Sequence, residues 1–374
     1  MSGLAASVVS DGPVMCLRRP MSGANTASCT LSFMKMKSFD LNSETEHPSE
    51  VSGEQMSPGP FEVCTPTRRT SFSTRLLPSH LTSSILSSSF ALSLTDLQRQ
   101  WVRDYGVASD QGIRPSMEDE HVAMVEADVA FFGVYDGHGG RQCAEYVRDH
   151  LHHAVLQHAD IKTTPARAMS DAFVQVERDF LSLNDDTRCS AGCVCAAALI
   201  QGDLLTVGNV GDCEVVLARA GEPVLLSVKH NPSCNDAEAA RVTEAGGCIF
   251  NCRLGHPRLN PRLCSLAVSR AVGDAGFKLD TYTLGKPSGL IADADTCEMR
   301  LTPEDTFLLI ACDGLWDTMT YAEAVQFCSQ HMEKGADANA IADKLVREAL
   351  MRGTRDNITV VLVFLGLDAT RSRK

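Results

Sequence analysis

The chain has 374 residues, 44% of them hydrophobic, and a formal net charge of -13. That length and apolar content suit one large or two ordinary globular domains, and the surplus of carboxylates argues against nonspecific binding to nucleic acid or to an anionic membrane, which are drawn to excess Lys and Arg. No stretch approaches the ~18 uninterrupted apolar residues of a membrane span, and 15 cysteines, odd in number, irregularly spaced and without a signal-peptide run ahead of them, read as reduced thiols of a cytoplasmic or nuclear protein.

Residues 1–95 are dominated by Ser, Thr, Pro and Gly, with runs such as Ser83-Ser84 and Ser87-Ser88-Ser89 and no sustained periodicity. Such a segment buries too little apolar surface to offset its ordering entropy, so a disordered tail is expected. Its weakly basic start (Arg18, Arg19, Lys35, Lys37) leaves organelle targeting open, and Arg68-Arg69-Thr70-Ser71 has the form of a site for basic-directed kinases. The tail holds seven acids and seven bases, so the whole excess, 40 acids against 27 bases, falls in residues 96–374.

From about Asp96 the composition changes to apolar runs between turn signals. Val129–Tyr135 reads as a buried strand ending at Asp136-Gly137, and Cys193–Ile200, Leu204–Val210 and Glu214–Ala218 as three more. Their short connections demand antiparallel neighbours, because a parallel pair needs a crossover of a dozen or more residues. Arg141–Gln157 and Pro165–Leu183 carry helical spacing, with Pro165 at a helix start, and a second helical pair follows at Tyr321–Met332 and Ala338–Met351. Thr306–Ala311 and Ile358–Phe364 complete the strands. The pattern predicts an α+β fold in which sheets form the centre and helices cover the outside. One domain of residues 96–367 is expected, followed by a short tail, 368–374.

The informative acids stand at the ends of buried strands. Asp136 follows one strand, Asp313 follows Phe307–Cys312, and Asp356 precedes the last strand. A carboxylate at the mouth of a core strand meets a desolvation penalty that a bound cation would offset, and hard oxygen ligands select Mg2+, Mn2+ or Ca2+ over zinc. Glycines at 137, 139 and 140 let the backbone bend sharply there. Arg114, four residues before the pair Glu118-Asp119, combines a guanidinium suited to phosphate with outer acids suited to a metal.

The ordered set R-P-S-M-E-D from Arg114, F-F-G-V-Y-D-G-H-G-G from Phe131, N-V-G-D from Asn209, L-A-V-S-R-A-V-G-D from Leu266, C-D-G-L-W-D from Cys312 and R-D-N-I-T from Arg355 resembles the metal-dependent protein phosphatases of type 2C. The resemblance implies a central sandwich of two mainly antiparallel β-sheets flanked by pairs of antiparallel helices in four α/β/β/α layers, and a phosphatase acting on phosphoserine and phosphothreonine of proteins with two Mg2+ or Mn2+ ions and a weaker third; a monomer is expected. It implies that Asp136 bridges the ions, that Gly137 offers its carbonyl oxygen, that Asp313 and Asp356 complete one shell and that Glu118 serves the other largely through water. Arg114 would bind the phosphate, His138 would protonate the leaving oxygen, and Asp212 and Asp317 would hold the third ion. Asp274 reads as structural. A catalytically silent, phosphatase-like binding module is the alternative, against which the retained acids, Arg114 and His138 speak.

The chain also departs from the family. Ala191-Gly192-Cys193-Val194-Cys195 replaces a Ser/Thr-rich strand start, and Lys229-His230-Asn231-Pro232 replaces D-H-K-P. The region up to Leu263 matches a substrate-facing flap in relatives, which leaves specificity open. Cys248, Cys252, His256 and Cys264 fit no common zinc spacing and are expected to be unliganded. Cys213 and Arg219 share the C-x5-R spacing of tyrosine phosphatases, but the residues between them lack glycine and read as a strand.

Overall fold

A computed structural model of the protein describes residues 101–126, 129–183 and 189–366. The expected tails, 1–95 and 368–374, lie outside these described residues. In chain order the elements are β1 (Val102–Asp110), β2 (Glu120–Val125), β3 (Val129–His138), α1 (Gln142–Leu156), α2 (Pro165–Ser182), β4 (Gly192–Gln201), β5 (Leu204–Val210), β6 (Glu214–Arg219) and β7 (Glu222–Leu225). Next come α3 (Asp236–Glu244), β8 (Cys248–Phe250), β9 (Arg253–Gly255), β10 (Ser265–Leu266), β11 (Val272–Gly273), α4 (Ala275–Lys278) and α5 (Asp280–Thr283). The chain closes with β12 (Asp295–Arg300), β13 (Asp305–Ala311), α6 (Asp313–Trp316), α7 (Tyr321–Glu333), α8 (Ala338–Met351) and β14 (Ile358–Leu365).

Two antiparallel sheets form the centre, one ordered β1-β14-β13-β6-β7 and the other β12-β5-β4-β3-β2, with β11 also pairing β4. Side chains alternate across each strand. In β3, Phe132 and Val134 join the core between the sheets, while Phe131 and Tyr135 turn outward against α1 and α2. In β14, Val361 and Val363 face the same inner core, and Val360 and Leu362 pack under α7 and α8. Each sheet is therefore apolar on both faces, and the helix pairs cover the outer ones, which gives the four α/β/β/α layers expected. Each fully buried Val, Leu or Phe contributes about 1.5–3 kcal/mol.

Local chemistry sets the helix ends. Pro165 occupies the first turn of α2, Thr320 and Glu323 form a capping box on α7, and the Asp337 carboxylate accepts from the Ala340 N–H at the start of α8. A small sheet, β10-β9-β8, stands apart from the sandwich in the strand order. Among the described residues no helix is long and apolar enough to cross a membrane.

Candidate metal centre

Both sheets deliver carboxylates to one place. The β3 ladder continues past its apolar run, with Asp136 opposite Val194, Gly137 opposite Cys193 and His138 opposite Gly192. Asp313 opens α6 directly after β13, Asp356 lies two residues ahead of β14, and Asp212 sits in the turn between β5 and β6. Asp119 immediately precedes β2 and is 5% exposed.

The acids act on one another. Burial, and then the charges of Asp119, Asp313, Asp356 and Asp212, push the Asp136 carboxyl well above the usual range. Asp313 is raised for the same reasons, by burial and by Asp212, Asp356 and Asp317, with Lys229 opposing. Asp119 is pushed up to about 6 by burial, against hydrogen bonds to Thr359 and Cys312, with the Asp356 charge adding to the rise. Burial also raises Asp212, although Lys229 and a 3.2 Å bond from Asn231 Nδ2 oppose it. These are carboxylates that need a positive partner.

Two observations test whether divalent ions fit. Asp119 Oδ1 and Asp313 Oδ1 are buried without a hydrogen-bond partner, a condition expensive for a charged oxygen unless a cation meets it. One oxygen each from Asp119 and Asp136 and the Cys312 sulfur lie within 4.8 Å of one another. The donors are mainly hard oxygens, as Mg2+ and Mn2+ require. At Gly137 a Cβ would stand 2.4 Å from the Glu118 carbonyl oxygen, so only glycine allows β3 and the 118 segment to come this close. The residues fit the group.

The sequence-predicted residues divide in their surroundings. Asp136, Asp313 and Asp356 converge, and Asp212 and Asp317 act electrostatically on Asp313. Glu118 is half-buried; its N–H donates to Asn357 Oδ1 at 2.8 Å, and its carboxylate accepts from Ser116 Oγ at 3.0 Å. The guanidinium of Arg114 is ion-paired with Asp356. Imidazole Nε2 of His138 is 2.8 Å from Asp274 Oδ2. Burial disfavours the imidazolium there, but the Asp274 charge and hydrogen bond outweigh it and hold the ring above its ordinary value.

Other side chains of the site were not legible as such. Asn357 is a staple: beside its bond to Glu118, its Nδ2 donates to the carbonyls of Gln111 and Ser116, fixing the loop that bears Arg114. His230, fully buried, accepts from the Gly211 N–H through Nδ1 and meets Asp295 through Nε2, which anchors the turn carrying Asp212. Burial and Arg270 lower its pKa, keeping the ring neutral in that role. Both ring nitrogens of His256 are engaged, with the Arg258 and Leu259 N–H groups and with the Gly276 carbonyl, and Arg219 at the end of β6 pairs with Asp305. Cys193 and Cys195 are buried with their sulfurs 3.6 Å apart.

The chain is similar to known proteins in sequence and in fold. The family model for protein phosphatase 2C matches residues 103–358. Probable protein phosphatase 2C 42 of Oryza sativa subsp. japonica is 31% identical over 72% of this chain and 87% of its own length. Protein phosphatase 1E of Homo sapiens is 33% identical over 75% of this chain and 38% of its own length. Among solved structures, serine-threonine phosphatase 2C from Toxoplasma gondii superimposes with a TM-score of 0.59 at 22% identity, over 72% of this chain and 98% of that one. A sex determining protein of C. elegans gives 0.58 at 21% identity, over 71% and 65%. These two structural matches speak to the fold.

Proposed function

The chain belongs to the protein phosphatase 2C family and is a metal-dependent protein serine/threonine phosphatase, and from this premise we propose that it works through a two-cation centre held by Asp136, the Gly137 carbonyl, Asp313, Asp356 and Glu118, with Asp119 as a further acid. The carrying observation is the crowd of mutually repelling, desolvated carboxylates around Asp136, two of them with orphaned oxygens. Two Mg2+ or Mn2+ ions, when bound, neutralise the phosphate and lower the pKa of water enough to supply hydroxide near neutral pH.

The chain's own groups do the rest. Arg114, ion-paired with Asp356, would hold phosphate oxygens with its planar fork. His138, partly exposed while Asp274 is buried behind it, gives its proton to the departing seryl or threonyl oxygen, a transfer worth typically ~100 to 10,000-fold. Asp212 and Asp317 would hold a third, weaker ion. A silent binding module would need neither Arg114 nor His138.

The proposed catalytic unit is residues 96–367, supported by the family match, and a monomer is proposed. The free thiols of the described cysteines support a reducing compartment, cytoplasm or nucleus. Phosphoproteins are its substrates. The test is hydrolysis of a phosphothreonine peptide with Mn2+, with chelator, and by Asp136→Asn. Turnover that survives the chelator would refute the proposal.

A further inference from the structure

From Ala245 to Gly273 a chain of net charge -13 contains no Asp or Glu, yet carries Arg253, Arg258, Arg262 and Arg270. Arg270 is neutralised by Glu238 and Asp295. The other three are exposed, and among the described residues none has a carboxylate in salt-bridge range. Neutral groups hold them instead. Arg253 donates to Ser265 Oγ at 3.1 Å and to its carbonyl at 3.2 Å, Arg258 Nη1 donates to the Tyr282 carbonyl at 2.8 Å, and the Arg262 guanidinium lies 5.6 Å from the Phe250 ring centroid. Such partners fix an arginine in place and leave its charge uncompensated. Elsewhere, Arg141, Arg148, Arg219 and Arg241 each meet a carboxylate.

The same excursion presents apolar surface. Leu259 and Leu263 are 55% and 81% exposed, and each directly follows an arginine in Arg258-Leu259-Asn260-Pro261-Arg262-Leu263. The tip is internally braced: Asn260 Oδ1 accepts from the Arg262 N–H, and its carbonyl accepts from Leu263 and Cys264. Braced, exposed leucines between unpaired cations form a preorganised surface for a chain of opposite sign.

Its position adjoins the reactive groups. His256 bonds the Gly276 carbonyl just after Asp274, and the Cys264 thiol feels the Asp274 charge, which in turn is bonded to His138. We infer that the Arg253, Arg258 and Arg262 surface, with Leu259 and Leu263, binds an acidic segment of the phosphoprotein flanking the phosphorylated residue. The inference rests on the phosphatase reading and names its substrate class. The carboxylate-rich centre would repel an acidic peptide, and this local cluster of opposite sign draws it to the rim.

The experiment uses the full chain with Mn2+ and fluorescein-labelled phosphothreonine peptides that differ only in flanking Glu, Ala or Lys. Glu flanks should raise kcat/KM over Lys flanks by roughly tenfold at low salt, shrinking toward parity as salt rises. The double variant Arg258→Glu/Arg262→Glu should reverse the order, and Arg258→Lys/Arg262→Lys should keep it. Fluorescence anisotropy on the same peptides separates recognition from reaction. Equal affinity for Glu-flanked and Lys-flanked peptides, or an order untouched by the charge reversal, overturns the inference. An intact affinity order without turnover supports it and counts against the reaction alone.

Discussion

His138 Nε2 and Asp274 Oδ2 stand 2.8 Å apart over the bare Cα of Gly192, where a Cβ would lie 2.4 Å from the first atom and 2.2 Å from the second. Asp274 adopts a left-handed φ of 56° and is 3% exposed, a backbone that Asn tolerates and Ala does not. The carboxylate therefore orients the ring rather than merely filling space.

That arrangement predicts a leaving-group signature. Asp274→Asn should slow hydrolysis of a phosphothreonine peptide by roughly 10 to 100-fold, and His138→Ala by more. p-Nitrophenyl phosphate, whose leaving group needs no proton, should be slowed much less by either change. Gly192→Ala should copy Asp274→Asn, because its methyl group would part the pair. Equal slowing of both substrates would remove the proton-transfer role.

Opposite signs are expected from Asp136→Asn and Asp313→Asn. Activity should fall by more than ~100-fold, since each loses an ion-holding charge. Stability of the metal-free protein should rise, because each also relieves a buried, repelled carboxylate. Thermal melts in chelator beside steady-state rates would read both, and a metal-free variant melting below the parent would contradict the assigned repulsion.

The pH dependence of the metal-free protein follows from Asp119. Its folded pKa of about 6 exceeds the ordinary 3.8, so between these values the folded state holds more proton than the unfolded one and stability falls as pH rises. Asp119→Asn should therefore gain stability relative to the parent as pH rises from about 4 to 6, by about 2–3 kcal/mol at the plateau. Mn2+ should lift the parent's melting temperature with its concentration, by mass action. A pH-independent difference between the two proteins would count against the burial of an ionised Asp119.

Glu238 has the reverse sign. Burial pushes its carboxyl up, but bonds from Arg270, Arg241 and Ser269 outweigh that and hold it at about 2. Its contribution is present above the ordinary value of 4.5 and is lost as pH falls toward 2. Glu238→Gln should cost about 3 kcal/mol near neutral pH, read as a lower urea midpoint, because Arg241 loses its carboxylate partner and Arg270 one of its two. A midpoint unchanged within error would show the network to be dispensable.

The helix pairs were legible because apolar spacing near 3.6 survives in the sequence: Ala338–Met351 has the expected bounds, and the other three differ by a residue at one or both ends. Strand β3 was legible only to Tyr135. Asp136, Gly137 and His138 read as a turn, but their pairing with Val194, Cys193 and Gly192 keeps them in the ladder, and ladder bonds leave no mark on composition. Strands β8 to β10, two or three residues long, are too short to show a period. Glu118 and Asp119 are adjacent acids, and nothing local says which is the more deeply buried; packing against Cys312 and Thr359 makes it Asp119. The bond between His138 and Asp274 spans 136 positions of sequence, a distance over which no motif spacing reports contact.

Strand β14 lies between β1 and β13, and Asp356 sits just ahead of it. Synthesis runs from the N-terminus, so this strand is the last of the sandwich to leave the ribosome. A nascent chain arrested before Asp356 would lack both the strand that joins β1 to β13 and a carboxylate proposed for the centre. Termination or proteolysis ahead of Asp356 should thus yield an inert product rather than an unrestrained enzyme.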